Sequence, residues 1–315
     1  MKNLFKNIAL IAVSIFVLSC SDDDNNSNEP QTIADIASAN PNLSILVQAL
    51  DRAGLVATFD GTGDFTVFAP TNTAFNNFLA TTPYATINDV PVPVLTEILK
   101  NHVIGASYTS SELTTGYVKT LAKGSASSTN TLSMYIDLTS GVKINGGSTN
   151  GGANVVLTSA NIAASNGVIH VVDNVIGLPT VVNHAIANPS FATLTTLLSA
   201  QGLVPTLSGT ASSPFTVFAP VESAFNSATL SLYGSLSSDL KTQVLTYHVV
   251  GGANVLANAI PSGNITTLQG QGFTISGTAI NDAGTDVNKN IILTDVQCSN
   301  GVVHAIDNVL IPNFN

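Results

Sequence analysis

Apolar positions recur at helical spacing from residue 33 to 55, at Ile33, Ile36, Ala37, Leu43, Leu46, Val47 and Leu50, with Asn40-Pro41 interrupting them. That spacing predicts two short amphipathic helices. Phe65-Thr66-Val67-Phe68 is aromatic and β-branched throughout and reads as a strand that ends at Pro70, which has no amide proton for a ladder. Thr71 is placed to cap a following helix that carries Ala74, Phe75 and Phe78. Leu95, Ile98, Leu99, His102 and Val103 again fall at helical spacing. Beyond them the pattern shortens into strands with turns such as Asn145-Gly146, and Asn166-Gly167 turns into a strand over 168–172. That strand is apolar on both faces, so it is expected to be central and buried.

The chain then repeats itself. Phe65-Thr66-Val67-Phe68-Ala69-Pro70 returns as Phe215-Thr216-Val217-Phe218-Ala219-Pro220, followed in each case by an Ala-Phe pair, Ala74-Phe75 and Ala224-Phe225. Ser165-Asn166-Gly167-Val168-Ile169-His170 returns as Ser299-Asn300-Gly301-Val302-Val303-His304, and Asp173-Asn174-Val175 as Asp307-Asn308-Val309. Between the two blocks a helical stretch ends in His102 in one copy and His248 in the other. The order is kept while the spacing shrinks, so the first copy carries insertions. The Ser/Gly/Asn-rich stretches at 123–131 and 146–154 are expected to be lengthened surface turns. A period this long means two whole domains and not solenoid units.

These blocks are similar to the two signatures of the fasciclin (FAS1) domain family, and Tyr247-His248 is similar to the family's central Tyr-His pair. The resemblance runs from near Gln31 to Ile311. It implies an α+β fold, two tandem FAS1-like domains, each a β-sandwich wedge with short helices packed at its edge, in a secreted or membrane-anchored protein associated with adhesion. It makes Tyr247 and His248, with Asn101 and His102 at the matching place in the first copy, the candidate interaction residues. Phe68, Pro70, His170 and Asp173, with Phe218, Pro220, His304 and Asp307, become the structural motif. The first copy departs from the pattern by carrying Asn101 where the tyrosine is expected.

The amino terminus adds an address. Lys2 and Lys6 precede an apolar run at 8–18 that is too short to span a bilayer and fits a signal-peptide core. Ser19-Cys20 at its end resembles a lipobox, which makes Cys20 the expected lipidation site. The expected organisation is a lipoprotein signal peptide at 1–19, a polar acidic tether at 20–30, and domains at 31–179 and 180–315. The acidic Asp22-Asp23-Asp24 run suits surface export, so the expected location is the cell envelope, as a surface-exposed outer-membrane lipoprotein. The membrane would be contacted through the lipid alone. The formal charge of −10 and the lack of a basic cluster exclude nucleic acid as a natural partner.

Candidate chemistry changes little. His102 and His248 each follow an apolar helical residue by four positions and read as buried, hydrogen-bonded histidines. His170 and His304 lie in strands with Asp173 and Asp307 three residues on, on the opposite face, which favours structural hydrogen bonding over a catalytic dyad. His184 carries no assigned role. Cys298, the only thiol after Cys20, reads as a buried strand residue. Asp286-x-Asn288-x-Asn290 copies three positions of a calcium loop, but Ile291 and Gln297 stand where its glycine and last ligand belong, so no metal is expected; Asp282 nearby is the one residue that would help a looser cation site. No nucleophile elbow, phosphate loop or dinucleotide fingerprint is present. The expectation is therefore a non-enzymatic surface adhesion protein without cofactor, binding a cell-surface, matrix or polysaccharide partner through loops and edges. The alternative is an envelope receptor for a small molecule or glycan, which the absence of Trp disfavours as a sugar site.

Overall fold

The first signature of each copy lies beside the second. In the computed structural model, which describes residues 30–284, 287 and 289–314, strand β1 (Phe65–Pro70) pairs in parallel with β8 (Gly167–Val172), Phe65 opposite Gly167 and Pro70 opposite Val172. In the second copy β9 (Phe215–Pro220) pairs in parallel with β15 (Gly301–Ile306) in the same register. The glycine opening each second strand is dictated by this contact. A Cβ on Gly167 or Gly301 would overlap the carbonyl oxygen of Phe65 or Phe215.

Alternation along these strands explains their all-apolar sequence. Val67, Ala69 and Ile169 face a helical layer, while Phe68 and Val172 face the other way into a second apolar cluster. Phe215, Val217 and Ala219 face helices in the second copy, and Phe218 and Ile306 face away. Both faces are covered, as a parallel pair requires.

The helical layer of the first copy comprises α1 (Ile33–Ala39), α2 (Ser44–Arg52), α3 (Val56–Asp60), α4 (Asn72–Ala80) and α5 (Val92–Lys100). Asn40-Pro41 separates α1 from α2 as expected; α3 is an additional turn. Thr71 does cap α4, its side chain accepting from the Ala74 amide. Helix α5 stops at Lys100, earlier than the periodicity suggests, because Val103 is needed in β2 (Val103–Ile104), antiparallel to β1. The second copy repeats the layer with α6 (Val181–Ala187), α7 (Ala192–Ala200), α8 (Val204–Ser208), α9 (Ser227–Ser235) and α10 (Ser238–Tyr247).

The sheets differ between copies. The first has two four-stranded sheets. One runs β2-β1-β8-β7, with β7 at Ile162–Ala164. The other runs β3-β4-β5-β6, from β3 (Gly116–Gly124) and β4 (Ser127–Asp137) to the short β5 (Lys143–Ile144) and β6 (Ala153–Asn154). In the second copy one seven-stranded sheet runs from β10 (Val249–Gly251) through β9 and β15 to β14 (Lys289–Cys298), then β13 (Ala279–Asn281), β12 (Gly272–Ser276) and β11 (Asn264–Thr266). Strand β14 is continuous where β6 and β7 are separate, and it absorbs the change of direction with irregular register between Ile291 and Val296.

The two polar insertions of the first copy are not free surface turns. Residues 123–131 form the tip of the β3–β4 hairpin, which reaches the second copy: the Ser125 hydroxyl and the Ala126 amide both donate to the Ser299 carbonyl, at 2.9 and 3.0 Å. Gly124 lies so close to Ser299 that a side chain there would overlap its backbone. In the 146–154 loop, Asn150 and Asn183 each donate a side-chain amide to the other's carbonyl, at 2.8 and 3.0 Å. Deeper in the same contact the Gln297 amide donates to the Ser133 hydroxyl at 3.0 Å, and the Lys119 ammonium to the Asp295 carbonyl at 3.0 Å. Small polar residues here bond across a boundary, which their composition alone does not distinguish from solvation.

Candidate functional site

The Tyr-His region is an interior bracket. His248 caps the end of α10 and is 3 % exposed. Its Nδ1 lies 2.8 Å from the Val244 carbonyl, and the Leu310 amide donates to its Nε2 at 2.8 Å. A carbonyl can only accept and an amide only donate, so the ring is neutral with its proton on Nδ1. His102 repeats this arrangement with the Ile98 carbonyl and the Ile176 amide, both at 2.8 Å. Burial pushes both rings down to about 4, against the opposing pull of those carbonyls. Each histidine therefore staples the end of a helix to the segment that follows the second signature.

Tyr247 is fully buried, its ring edge-on to Phe273 and its hydroxyl donating to the Gly272 carbonyl at 2.8 Å. Asn101 occupies the matching place, also fully buried, and donates to the Gly177 carbonyl while accepting from the Thr120 hydroxyl. All four candidate interaction residues are thus interior. A partner can sense them only through the segments they hold.

His170 and His304 form a second repeated bracket. The Nε2 of His170 donates to the Tyr108 carbonyl and that of His304 to the Val255 carbonyl, both at 2.9 Å. Their Nδ1 atoms accept from the Asn161 and Asp295 amides. Phe68 stacks on His170 and Phe218 on His304, with centroids 5.6 and 5.5 Å apart. Asp173 and Asp307 are elsewhere, accepting from the amide and side chain of Asn154 and of Asn290. The repeated His-x-x-Asp is two separate structural devices and brings no acid to the imidazole.

Asp282 does meet a cation, and that cation is Lys289. Their 3.0 Å ion pair is almost wholly buried, and the second carboxylate oxygen of Asp282 accepts from the Ile311 amide at 2.7 Å. Asp286 and Asn288 of the calcium-loop-like run lie outside the described residues, as does Cys20; Asn290 commits its amide groups to Asp307. The Cys298 thiol is fully buried, donates to the Val296 carbonyl, and is pushed up by burial far from its ordinary range.

Two features carried no sequence signal strong enough to find them. The asparagine of each second signature is a clamp. Asn166 accepts from the Ile33 amide and donates to the Phe59 and Gly61 carbonyls; Asn300 accepts from the Val181 amide and donates to the Leu207 carbonyl. The repeated Ser-Asn-Gly was the only hint. His184, the second feature, is fully buried at the boundary between copies, edge-on to the Tyr117 ring at 5.4 Å. Neither ring nitrogen has a hydrogen-bond partner. Burial, with the Lys119 charge adding to it, pushes the ring down to about 3; the nearby Ser133 backbone opposes this weakly.

Two tandem α+β units, each closed by a parallel pair of repeated signatures and pinned by buried histidines, define a pair of copies of one domain type. The fasciclin domain model matches residues 41–179 and 189–312, and the chain belongs to that family. It is 30 % identical over 267 residues to the transforming growth factor-beta-induced protein ig-h3 of Sus scrofa, covering 81 % of this chain and 35 % of that one. It is 35 % identical over 139 residues to the cell surface glycolipoprotein MPB83 of Mycobacterium bovis, 40 % of this chain and 57 % of that one. Among solved structures it matches a FAS1 domain pair from the insect cell adhesion molecule fasciclin I, with a TM-score of 0.47 and 19 % identity over 85 % of this chain and 94 % of that one. No enzyme family is indicated.

Proposed function

We propose that this protein is a lipid-anchored cell-surface adhesion protein whose two FAS1 domains bind a cell-surface, matrix or polysaccharide partner through loops and sheet edges. The observation that carries this reading is the family membership of both halves together with the interior position of Tyr247, Asn101 and the histidines His102, His170, His248 and His304. The histidines and Tyr247 are engaged in holding the fold, which leaves recognition to the surface segments. Anchoring through Cys20 is supported by the lipobox-like sequence and by the surface location of a lipoprotein relative. Among the described residues no helix is long and apolar enough to cross a membrane. The test is metabolic labelling with a radioactive fatty acid, with and without Cys20→Ala, followed by binding of the purified chain to a glycan array, matrix proteins and whole cells. Label lost with Cys20 and a saturable hit support the reading. Label retained in the variant removes the anchor, and no hit on any surface removes the adhesin.

A further inference from the structure

The first and second copies share a hydrogen-bonded frame on the face of the parallel pair away from the helices, and they fill it differently. In the first copy the Thr66 hydroxyl donates to the Ala106 carbonyl and accepts from the Tyr108 amide, while His170 holds the Tyr108 carbonyl. In the second the Thr216 hydroxyl donates to the Ala253 carbonyl and accepts from the Val255 amide, while His304 holds the Val255 carbonyl. Tyr108 and Val255 therefore occupy the same backbone position, fixed by three equivalent bonds. The half-buried Tyr108 ring packs against the Phe68 cluster. Val255 is too short to do the same, and beside it lies a cavity of about 240 Å³.

The lining of this cavity is mainly apolar and carries no charge. Phe218, Val250 and Ile265 form its inner wall, and Ile260 and Pro261 the outer. Thr216 has committed its hydroxyl in both directions, so it offers no free polar group. Asn264 and Thr266, both exposed, are the other polar liners and stand at the mouth. At about 30 Å³ per water-sized group this groove holds roughly six to eight methylenes. We propose that the second domain binds an uncharged aliphatic chain of that length, between the edge strands β10 and β11, with its polar end beside Asn264. The site is independent of the adhesive reading, because it needs no macromolecular partner.

The test is titration of the full chain with the apolar fluorophore N-phenyl-1-naphthylamine, followed by displacement with 1-octanol. One saturable site that octanol empties is expected. Val255→Tyr, which installs the residue the first copy carries, is expected to weaken probe binding at least tenfold, as is Ala253→Leu, which fills the cavity from a different position. Circular dichroism identifies whichever variant keeps the native fold. The absence of saturable binding, or undiminished binding in a folded variant of either kind, overturns the proposal and in the latter case moves the probe to another surface.

Discussion

His184 makes the boundary between the two copies sensitive to acid. It is buried without a hydrogen-bond partner and its ring is held down to about 3, whereas in the unfolded chain it titrates near 6.5. Its folded form is thus the weaker base. Stability is fully present above pH 6.5 and is lost as pH falls and the unfolded state takes up a proton that the folded state refuses. Over the full shift the cost reaches about 5 kcal/mol, at about 1.36 kcal/mol per unit, and at pH 5 it is about 2 kcal/mol. His102 and His248, held at about 4, act with the same sign and each cost about 2 kcal/mol at pH 5. The sum, roughly 6 kcal/mol, is comparable with the whole stability of a typical domain. The carboxylates whose pKa is lowered, Asp35, Asp89, Glu112 and Glu222, add their loss only below their ordinary values, so the interval from pH 6.5 to 5 belongs to the histidines. Replacing His184 with Phe keeps an aromatic ring against Tyr117 and removes the titrating group. In urea melts at pH 7.5 and 5, His184→Phe is expected to lose about 2 kcal/mol less than the parent chain between the two conditions. Equal losses in both proteins would refute the argument that this ring is buried neutral.

Further outcomes are expected at other sites. Asn300→Ala leaves the Val181 amide and the Leu207 carbonyl without their buried partner and is expected to cost about 2–5 kcal/mol in a urea melt, with Asn166→Ala behaving alike in the first copy. Lys289→Met removes the cation that faces the buried Asp282 carboxylate and is expected to cost about 3–5 kcal/mol in a thermal melt. Gly124→Val drives a side chain into the Ser299 backbone and is expected to part the hairpin tip from the second copy, read as an increased radius of gyration in small-angle scattering. Tyr247→Phe keeps the ring against Phe273 but takes a bond from both the Gly272 carbonyl and the Ala283 amide, and is expected to cost about 1–3 kcal/mol and to leave surface binding unchanged.

The architecture was legible because its determinants are local and occur twice. Phe65-Thr66-Val67-Phe68 read as a strand ended by Pro70, Asn166-Gly167 as the turn into a central buried strand, and Thr71 as a cap, each from its own neighbourhood. The interior role of the four bracketing histidines followed from helical and strand spacing. What could not be read depends on residues far apart in the chain. Nothing near Ser125 announces Ser299, and nothing near Asn150 announces Asn183, so polar insertions that bond across a boundary look the same as solvated turns. The early end of α5 has the same cause: Val103 satisfies helical spacing, but its pairing with Val67 decides its conformation. The Asp282–Lys289 pair was hidden because an isolated carboxylate suggests a metal as readily as a buried ammonium.

The parallel pairing of β1 with β8, and of β9 with β15, also sets an order of events. Each copy joins a strand near its beginning to one near its end, so neither can close its central sheet until nearly all of it has left the ribosome. Contacts of such long sequence separation make folding slow, because the loop must be ordered before the contact rewards it. The first copy can close once Val172 is available, the second only at Ile306, and the hairpin tip at Ser125 must wait for Ser299. Until then the hairpin tip lacks its partner in the second copy, so the nascent chain is most exposed to misassociation in the interval between the two closures.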